Sequence, residues 1–496
     1  MFDSILTLHP LDFCHLSPFF PFSSSRSLSS GRTQVSRGSP QRRSYGLSTK
    51  ELAAPDSDQQ TIKTIPTILE AIANPKYGYP DPQTFPSSVD TSYFKFEVVY
   101  ESKISNARVG RIHTPHGVIE TPGFVPVATN GALKYVDIGT SAASVLDTQL
   151  IFANTYHLLI HPGSDEIASA GGIHRFCGYS RPMITDSGGF QVFSMSNTTS
   201  QDELKGKIAR TSKSTGKVAP NLLKKVSETG ALFRSYRDGK LIELTPQSSV
   251  KAQKKIGADI IIPLDILLPN AVSRKKLLES FHRTHRWEAA SLREHLCNLN
   301  QQAMFAVIHG GTNVALRRLS LEYLSSLPFQ GMAIGGSLGR NSQEMYSLLR
   351  EICPHIPKRF PIHLLGIGDP PSITLGASLG IDTFDSAYPT KTGRHGQFFA
   401  ESKDGGGGGS GSGEISGAPK IMEHIDITKP RYRDVHNKPP VEGCECPTCS
   451  KNSAAYVHHL FAMNEPIALT MGATHNIHFM MKMMKMIRKR ILDGKL

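Results

Sequence analysis

Residues 305–336, FAVIHGGTNVALRRLSLEYLSSLPFQGMAIGG, contain the pattern that decides the fold. A continuous apolar run opens the stretch and stops at His309 and two glycines. A helical stretch follows at Val314–Leu324, and a second apolar run, Met332–Ile334, stops at another pair of glycines. Apolar runs without alternation are typical of strands covered on both faces, and therefore of a parallel sheet.

The same pattern recurs on both sides of this stretch. Four further apolar runs end at aspartate or glycine, and they are Met183–Thr185, Ile260–Leu264, Ile362–Leu365 and Ile381–Phe384. Three further helical stretches are Ala271–Leu296, Ser342–Ile352 and Pro371–Leu379. Strand–helix alternation repeated in this way predicts a (β/α)8 TIM barrel or a doubly wound α/β sheet. We favour the barrel, because residues 335–339 (GGSLG) are no convincing dinucleotide-binding loop.

Three carboxylates follow the predicted strands, namely Asp186, Asp265 and Asp385. Each alone is typical of a helix cap or a turn. Both folds place their site at the carboxyl ends of the strands, so the three side chains are expected to meet. Paired carboxylates suit glycosyl transfer, in which one attacks the anomeric carbon and another moves protons.

A cysteine cluster near the carboxyl terminus predicts a metal site. Cys444, Cys446 and Cys449 form C-x-C-x2-C, and His475 follows 26 residues later. Three thiolates and one imidazole make a closed tetrahedral set for one structural Zn²⁺ per chain. The alternative is a group of unrelated buried thiols. Three other histidines could replace His475, namely His458, His459 and His478.

Composition limits the class of protein. The chain has 496 residues, of which 39% are hydrophobic and 20% charged, so a large core is possible. Seven cysteines in a chain of this length exclude a small disulfide scaffold. No apolar run is long enough to predict a membrane span. The net charge of +13 permits a polyanionic partner.

The chain divides into four predicted segments. Residues 1–50 hold twelve serines and six basic residues against two acids, which favours an organellar transit peptide over an ordinary disordered tail. Residues 51–95 are predicted to be a polar linker. Residues 96–430 would form the barrel, with a flexible Gly-rich loop at 405–413, and residues 431–496 the zinc-binding subdomain and a terminal helix. That helix, Phe479–Lys495, is expected to dock on the core, although its basic face also suits a nucleic acid.

Three long motifs make the chain resemble a known family. Asn154–Leu158, Asp186–Val192 and Asp382–Arg394, together with the Cys₃His cluster, resemble the tRNA-guanine transglycosylases, or queuine tRNA-ribosyltransferases. The resemblance covers roughly residues 96–485, and the residues of the motifs are most similar to those of chlamydial members. It implies a (β/α)8 barrel with a zinc subdomain. It also implies exchange of guanine at the wobble position (34) of tRNAs with a GUN anticodon for a 7-deazaguanine.

The resemblance assigns a role to each candidate residue. It implies that Asp385 is the nucleophile that forms a covalent tRNA intermediate, that Asp186 is the general acid and base, and that Asp265 binds the base. Other base-binding positions are Ser187, Phe190, His309, Gly335, Gly336, Gly339 and Leu365. Lys391 and Arg394 match residues that hold the anticodon loop.

Some positions depart from the family pattern. His309 stands where glutamine is usual, and Lys391 replaces an arginine, so a point charge replaces a bidentate phosphate contact. Gly339 and Leu267 replace the valine and cysteine typical of enzymes that use preQ1. We therefore expect free queuine rather than preQ1 as the incoming base, with Gly339 leaving room for its cyclopentenediol.

Three alternative functions stay open at this stage. A non-catalytic partner subunit of the same family is disfavoured because all three carboxylates are present. An archaeal-type enzyme would need further RNA-binding residues after His475. A barrel glycosidase is disfavoured by a single tryptophan, Trp287. The chain is expected in an organelle, a plastid before a mitochondrion, with the cytoplasm as alternative, and as a homodimer or a heterodimer with a paralogue.

Overall fold

The computed structural model describes residues 68–74, 76–194, 222–268, 272–401 and 422–496. The predicted transit peptide at 1–50, much of the predicted linker and the Gly-rich loop at 405–413 lie outside these residues. The targeting role of the leader and the oligomeric state stay predictions.

The strands in chain order are β1 (Lys95–Glu101), β2 (Arg108–Thr114), β3 (Gly117–Thr121), β4 (Gly123–Ala128), β5 (Ile151–Ala153), β6 (Met183–Thr185), β7 (Leu223–Val226), β8 (Ala231–Arg234), β9 (Leu241–Leu244), β10 (Ile260–Ile261), β11 (Ala303–Ile308), β12 (Gly331–Ile334), β13 (Ile362–Leu364), β14 (Thr383–Ser386), β15 (Gln397–Ala400) and β16 (Glu423–Asp426).

The α-helices are α1 (Ile68–Ala73), α2 (Thr155–Ile160), α3 (Ser164–Ser169), α4 (Ile173–Cys177), α5 (Gly189–Ser194), α6 (Pro246–Ile256), α7 (Arg274–Cys297), α8 (Val314–Ser325), α9 (Ser342–Ile352), α10 (Pro370–Ser378), α11 (Tyr388–Gly393), α12 (Pro447–Lys451), α13 (Ala454–Ala462) and α14 (Pro466–Leu492). One π-helix spans Ile138–Val145, and 3-10 turns occupy Pro82–Thr84, Cys353–His355 and Pro430–Tyr432.

Eight parallel strands, β4–β6 and β10–β14, close into a barrel in chain order. The predicted (β/α)8 architecture is therefore confirmed. Six of the eight strands contain the apolar runs of the sequence, whereas β4 and β5 were not predicted. The interior is filled by side chains such as Phe152, Ile184 and Val307, so the barrel is a packed core and not a pore.

The N-terminal end of the barrel is covered by the antiparallel sheet β1–β3. A buried ion pair joins this sheet to the barrel. The guanidinium of Arg108 on β2 donates to both carboxylate oxygens of Asp382, at 3.1 and 2.5 Å. Thr121 and the backbone N–H of Ile362 also donate to Asp382, so both oxygens of the buried carboxylate accept hydrogen bonds.

Part of the predicted linker packs on the barrel helices. Tyr79 is 4% exposed, and its hydroxyl lies 3.0 Å from Nδ1 of His282 on α7. The hydroxyl of Tyr323 on α8 donates to the carbonyl of Pro80. Residues 76–94 are therefore not a free linker, because this segment packs against α7 and α8 through side chains such as Tyr79.

The zinc-binding subdomain includes more of the chain than the sequence assigned to it. The antiparallel pair β15 and β16 shares a hydrophobic core with Cys446 and Cys449, although both strands precede residue 431. Helix α14 buries Met480, Met484 and Ile487 against the barrel. The expected docking of this helix is therefore observed.

The basic face of α14 contacts the protein itself. Lys482 pairs with Glu401 at 3.2 Å, and Lys485 pairs with Asp147 at 3.0 Å. Among the described residues, no helix combines the length and apolar character needed to cross a membrane.

Candidate active site

The barrel brings the predicted site residues together at the carboxyl ends of its strands. Asp186 follows β6, Asp265 follows β10, His309 follows β11 and Asp385 lies in β14. The remaining predicted base-binding positions follow β6, β12 and β13, and they are Ser187, Phe190, Gly335, Gly336, Gly339 and Leu365. Parallel strands of a barrel end at one face, which explains why separate sequence motifs form one site.

Asp385 is held by two donors on one carboxylate oxygen. The backbone N–H of Gly366 donates to Oδ1 at 2.8 Å, and Nε2 of His363 lies 3.1 Å from the same atom. Because a carboxylate only accepts, Nε2 of His363 carries the proton, and its Nδ1 accepts from the hydroxyl of Thr383 at 2.8 Å. Within the described chain Oδ2 of Asp385 receives no hydrogen bond, so this oxygen can act as a nucleophile.

Asp186 has a different environment. The side-chain amide of Asn154 donates to Oδ2 at 2.6 Å, and the backbone N–H of Thr155 donates to Oδ1 at 2.8 Å. Burial nevertheless raises the pKa of Asp186 to about 7, and the nearby charges of Asp265 and Asp385 raise it further against these hydrogen bonds. A carboxyl group with this pKa exchanges a proton readily near neutral pH.

Asp265 and His309 form the polar floor of the site. Nε2 of His309 lies 3.0 Å from Oδ2 of Asp265, and the hydroxyl of Ser187 is 3.5 Å from Oδ1. Glu288 on α7 lies behind them, with Oε1 4.0 Å from Nε2 of His309. Its other oxygen accepts from the backbone N–H of Val307, and burial raises the pKa of Glu288 well above its usual value.

Glycines let the backbone approach the site closely. A Cβ at Gly335 would lie 2.6 Å from the side chain of Val307, and one at Gly336 would lie 3.4 Å from Nδ1 of His309. Gly339 has φ = 126°, and a Cβ there would lie 2.6 Å from Cβ of Glu344. The backbone before α9 therefore requires glycine at position 339. This requirement explains the glycine without the expected need for room for the cyclopentenediol of queuine.

The two predicted base-sandwiching side chains differ in exposure. Phe190, at the start of α5, is 45% exposed, whereas Leu365 is half-buried and packs against the barrel interior. An exposed ring and a fixed apolar side chain are each suited to contact one face of a planar ligand.

A buried arginine organises the loops around the site. Arg317 on α8 is fully buried, and its guanidinium donates to the carbonyls of Gly311, Gly335 and Ser337 at 2.8–2.9 Å, and to that of Ile308. Burial lowers its pKa to about 9. One side chain thereby fixes the turns that follow β11 and β12.

The predicted tRNA-binding residues lie just beyond Asp385. Lys391 is exposed on α11. Arg394 follows that helix, its Nε donates to the carbonyl of Thr390, and its guanidinium carbon lies 5.9 Å from the ring centre of Tyr135. Both cations thus belong to the segment that directly follows the strand of Asp385.

The four predicted metal ligands converge. Nδ1 of His475 lies 3.5 Å from Sγ of Cys444 and 3.3 Å from Sγ of both Cys446 and Cys449. A tetrahedral zinc ion bound by sulfur and nitrogen separates these atoms by about 3.6 Å. Nε2 of His475 donates to the carbonyl of Phe399 at 2.8 Å, which leaves Nδ1 free to coordinate. The four residues therefore fit a metal ion.

The alternative histidines fit less well. Nδ1 of His478 reaches only Cys444, at 4.0 Å, and Nδ1 of His458 bonds to the carbonyl of Ile427.

A second cluster of possible ligands has the wrong geometry for a metal. His116 and His174 lie 2.8 and 3.1 Å from the carboxylate of Asp259. Their rings are stacked 3.5 Å apart and nearly parallel, at 9°. A metal ion lies in the plane of each imidazole that binds it, and parallel stacked rings share no plane. This cluster is better explained as a hydrogen-bonded carboxylate at the start of β10.

Several residues of the site were not predicted from the sequence. His363 lies inside an apolar run, Arg317 lies inside an amphipathic helix and Glu288 lies on α7. For His363 the only signal was a polar side chain in a run otherwise predicted to be buried, whereas Arg317 and Glu288 gave no local signal, because charged side chains are normal on amphipathic helices.

Comparison with known proteins identifies the family. The profile of the family described as "Queuine tRNA-ribosyltransferase" matches residues 103–496. A protein of that name from Protochlamydia amoebophila (strain UWE25) is 47% identical over 402 residues, which cover 81% of this chain and 96% of the relative. A protein of the same name from Chlamydia muridarum (strain MoPn / Nigg) is 45% identical over 408 residues, 81% of this chain and 99% of the relative. The expected likeness to chlamydial proteins is confirmed.

Proposed function

The chain belongs to the queuine tRNA-ribosyltransferase family of pentosyl-transferring enzymes, and we propose that it exchanges guanine at the wobble position of GUN tRNAs for a 7-deazaguanine. The observation that supports this most directly is the pairing of two unlike carboxyl groups. Asp385 is held by donors on one oxygen, whereas Asp186 has a pKa raised to about 7. Neighbouring carboxyl groups in different surroundings can divide the work of glycosyl transfer, one as the nucleophile and the other as the acid and base.

In the first half-reaction, Oδ2 of Asp385 attacks C1′ of the wobble nucleotide. A bond forms between this oxygen and C1′ while the bond from C1′ to the guanine nitrogen breaks. Protonated Asp186 gives its proton to the departing base. His363 keeps the attacking carboxylate oriented through Oδ1.

In the second half-reaction, the incoming base attacks C1′ from the side that guanine left. Ionised Asp186 takes the proton from its ring nitrogen, and Asp385 leaves as a carboxylate. Two displacements at one carbon retain the β configuration. The same proton site on Asp186 therefore serves both halves of the exchange, as a pKa near 7 allows.

The base is held by Asp265, His309 and the backbone at Gly335 and Gly336. In the pair between Asp265 and His309, the carboxylate favours a proton on Nε2 of the imidazole. Nδ1, which faces Gly336, then accepts a hydrogen bond from an N–H of the base. Glutamine offers both an amide donor and a carbonyl acceptor, so His309 changes the edge available for recognition.

One zinc ion per chain is the second part of the proposal. Cys444, Cys446, Cys449 and His475 would hold it as a closed set of four protein ligands. Such an ion supplies folding stability and leaves no position for a reacting water.

A non-catalytic partner subunit is the alternative. The geometry disfavours it, because a binding subunit needs neither a nucleophile oriented by His363 nor a carboxyl group with a pKa near 7.

Replacing Asp385 by alanine should abolish exchange, with a loss of at least about 1,000-fold. The assay is incorporation of labelled guanine into a GUN tRNA, followed by a denaturing gel that shows the covalent adduct in the wild type alone. Asp165→Ala, at a side chain 79% exposed on α3, is the matched control. Exchange that survives in Asp385→Ala would contradict the mechanism.

Adduct formation should lose rate as the pH rises past about 7, because Asp186 must be protonated to release guanine. Single-turnover rates of adduct formation, measured between about pH 6 and pH 8, test this. Asp186→Asn should be slow with no such decline. A decline of equal midpoint in Asp186→Asn would assign the titration to another group.

Queuine should release labelled guanine from tRNA faster than preQ1 does. The relatives' name and Leu267 support this preference. Gly339 does not bear on it, because its backbone conformation already requires glycine. Leu267→Cys should shift the ratio of the two rates toward preQ1. Faster release by preQ1 from the wild type would reject the preference.

Removal of the metal should unfold the subdomain. Cys446→Ser should lose bound zinc and lower the free energy of unfolding by about 3 kcal/mol or more. Elemental analysis and denaturant unfolding measure the two effects, with Cys297→Ser, an exposed thiol on α7, as control. Wild-type protein that folds stably without any metal would refute the zinc proposal.

A further inference from the structure

Aromatic and basic side chains lie in segments that follow the carboxyl ends of β4, β5 and β14, or that contact those segments. We name this feature the rim strip and define it by Tyr236, His157, Lys134, Tyr135 and Arg394. Helix α2, which contributes His157, also contributes the backbone N–H of Thr155 that binds Asp186. The rim strip therefore borders the proposed site of reaction.

The side chain of Tyr236 is exposed, and contacts on one side hold its ring in place. It lies in the turn between β8 and β9, and it is 52% exposed. Its ring stacks on that of buried Tyr156, with centres 6.1 Å apart and planes 25° apart. Its hydroxyl lies 3.2 Å from Nδ1 of His157. One side of the ring is fixed by these contacts, and the rest faces solvent.

Tyr135 is presented at a cost in backbone energy. Its φ is 64°, a left-handed conformation that bulky residues rarely adopt, and the residue is 46% exposed. Strain of this kind persists where a function needs the side chain in one place. The guanidinium carbon of Arg394 lies 5.9 Å from its ring centre.

Lys134 precedes Tyr135 in the chain and adds a positive charge beside it. Burial lowers the pKa of His157, and the positive charge of Lys134 lowers it further. Lys134 is itself exposed. The contacts thus form two groups, Tyr236 with His157 and Tyr135 with Arg394, with the Lys134 cation next to Tyr135 in the chain.

We infer that Tyr135 and Tyr236 stack on unpaired bases of the RNA loop that carries the exchanged nucleotide, while Lys134 and Arg394 contact its phosphates. The inference rests on the proposed function. An enzyme that extracts one base from a loop leaves the neighbouring bases without a stacking partner. Rigid rings beside cations are the arrangement that binds single-stranded nucleic acid, because every base has a face that stacks.

The first test compares tRNA affinities of ring-deletion and ring-retaining variants. Tyr135→Ala and Tyr236→Ala should each weaken binding of a GUN tRNA about 10-fold, the effect of losing one stacked base. Tyr135→Phe and Tyr236→Phe should stay within about twofold of wild type, because the ring remains. Tyr456→Ala is the matched control, since Tyr456 is 48% exposed on α13, away from the rim strip.

The salt dependence separates stacking from charge. The slope of log affinity against log salt should be unchanged in the tyrosine variants and should fall by about one in Lys134→Ala. Thermal unfolding verifies that each variant folds. Wild-type affinity in both alanine variants, or equal losses in alanine and phenylalanine variants, would overturn the stacking role.

The same experiment distinguishes the two levels of the proposal. A wild-type protein that exchanges guanine, with tyrosine variants of unchanged tRNA affinity, would refute the rim strip alone. A wild-type protein that neither binds nor modifies tRNA would overturn the proposed function and this inference with it.

Discussion

The closure of the barrel between β14 and β4 is the constraint on which the site depends. Asp385 pairs in register with Val125 across this seam, so the proposed nucleophile is part of the ladder that joins the last barrel strand to the first. Below it, Asp382 accepts from Arg108 and from Thr121, while its carbonyl accepts from the N–H of Gly123. An unpaired charge at Asp382 would cost several kcal/mol, so this ion pair holds the seam in one register.

The three carboxyl groups of the proposed site have different surroundings. Three carboxyl groups lie at one end of the barrel, and their charges repel. Asp385 accepts hydrogen bonds from two donors, and Asp265 lies 3.0 Å from Nε2 of His309, whereas burial raises the pKa of Asp186 to about 7. Burial is the main cause of this shift and the repulsion from Asp265 and Asp385 adds to it, so a proton on Asp186 relieves both effects. The raised pKa of the proposed general acid thus follows from burial and crowding.

The sequence predicted the barrel and most of the site because both depend on where apolar runs end. It failed where the local signal is weak. Strand β4 contains Pro126, which is rare inside a strand, and β5 was missed although it is as long and as buried as the predicted strand β6. Arg317 reads as part of the solvated face of a helix, because nothing local shows that its charge meets four carbonyls. Gly339 was given a role toward the ligand, although its φ already demands glycine.

The zinc-binding subdomain acts on the site through one helix. Asn476 follows the proposed ligand His475 on α14, and its amide donates to the carbonyl of Pro389 in α11 and to the carbonyl of Gln397 at the start of β15. Gly393 and Gly472 let the two helices touch, since a Cβ at Gly393 would lie 2.3 Å from the carbonyl oxygen of Gly472. Helix α11 begins two residues after β14 and ends at the proposed RNA-binding cations. A metal ion that fixes α14 would therefore fix those cations relative to Asp385, which explains why a structural ion and a catalytic barrel occur in one compact arrangement.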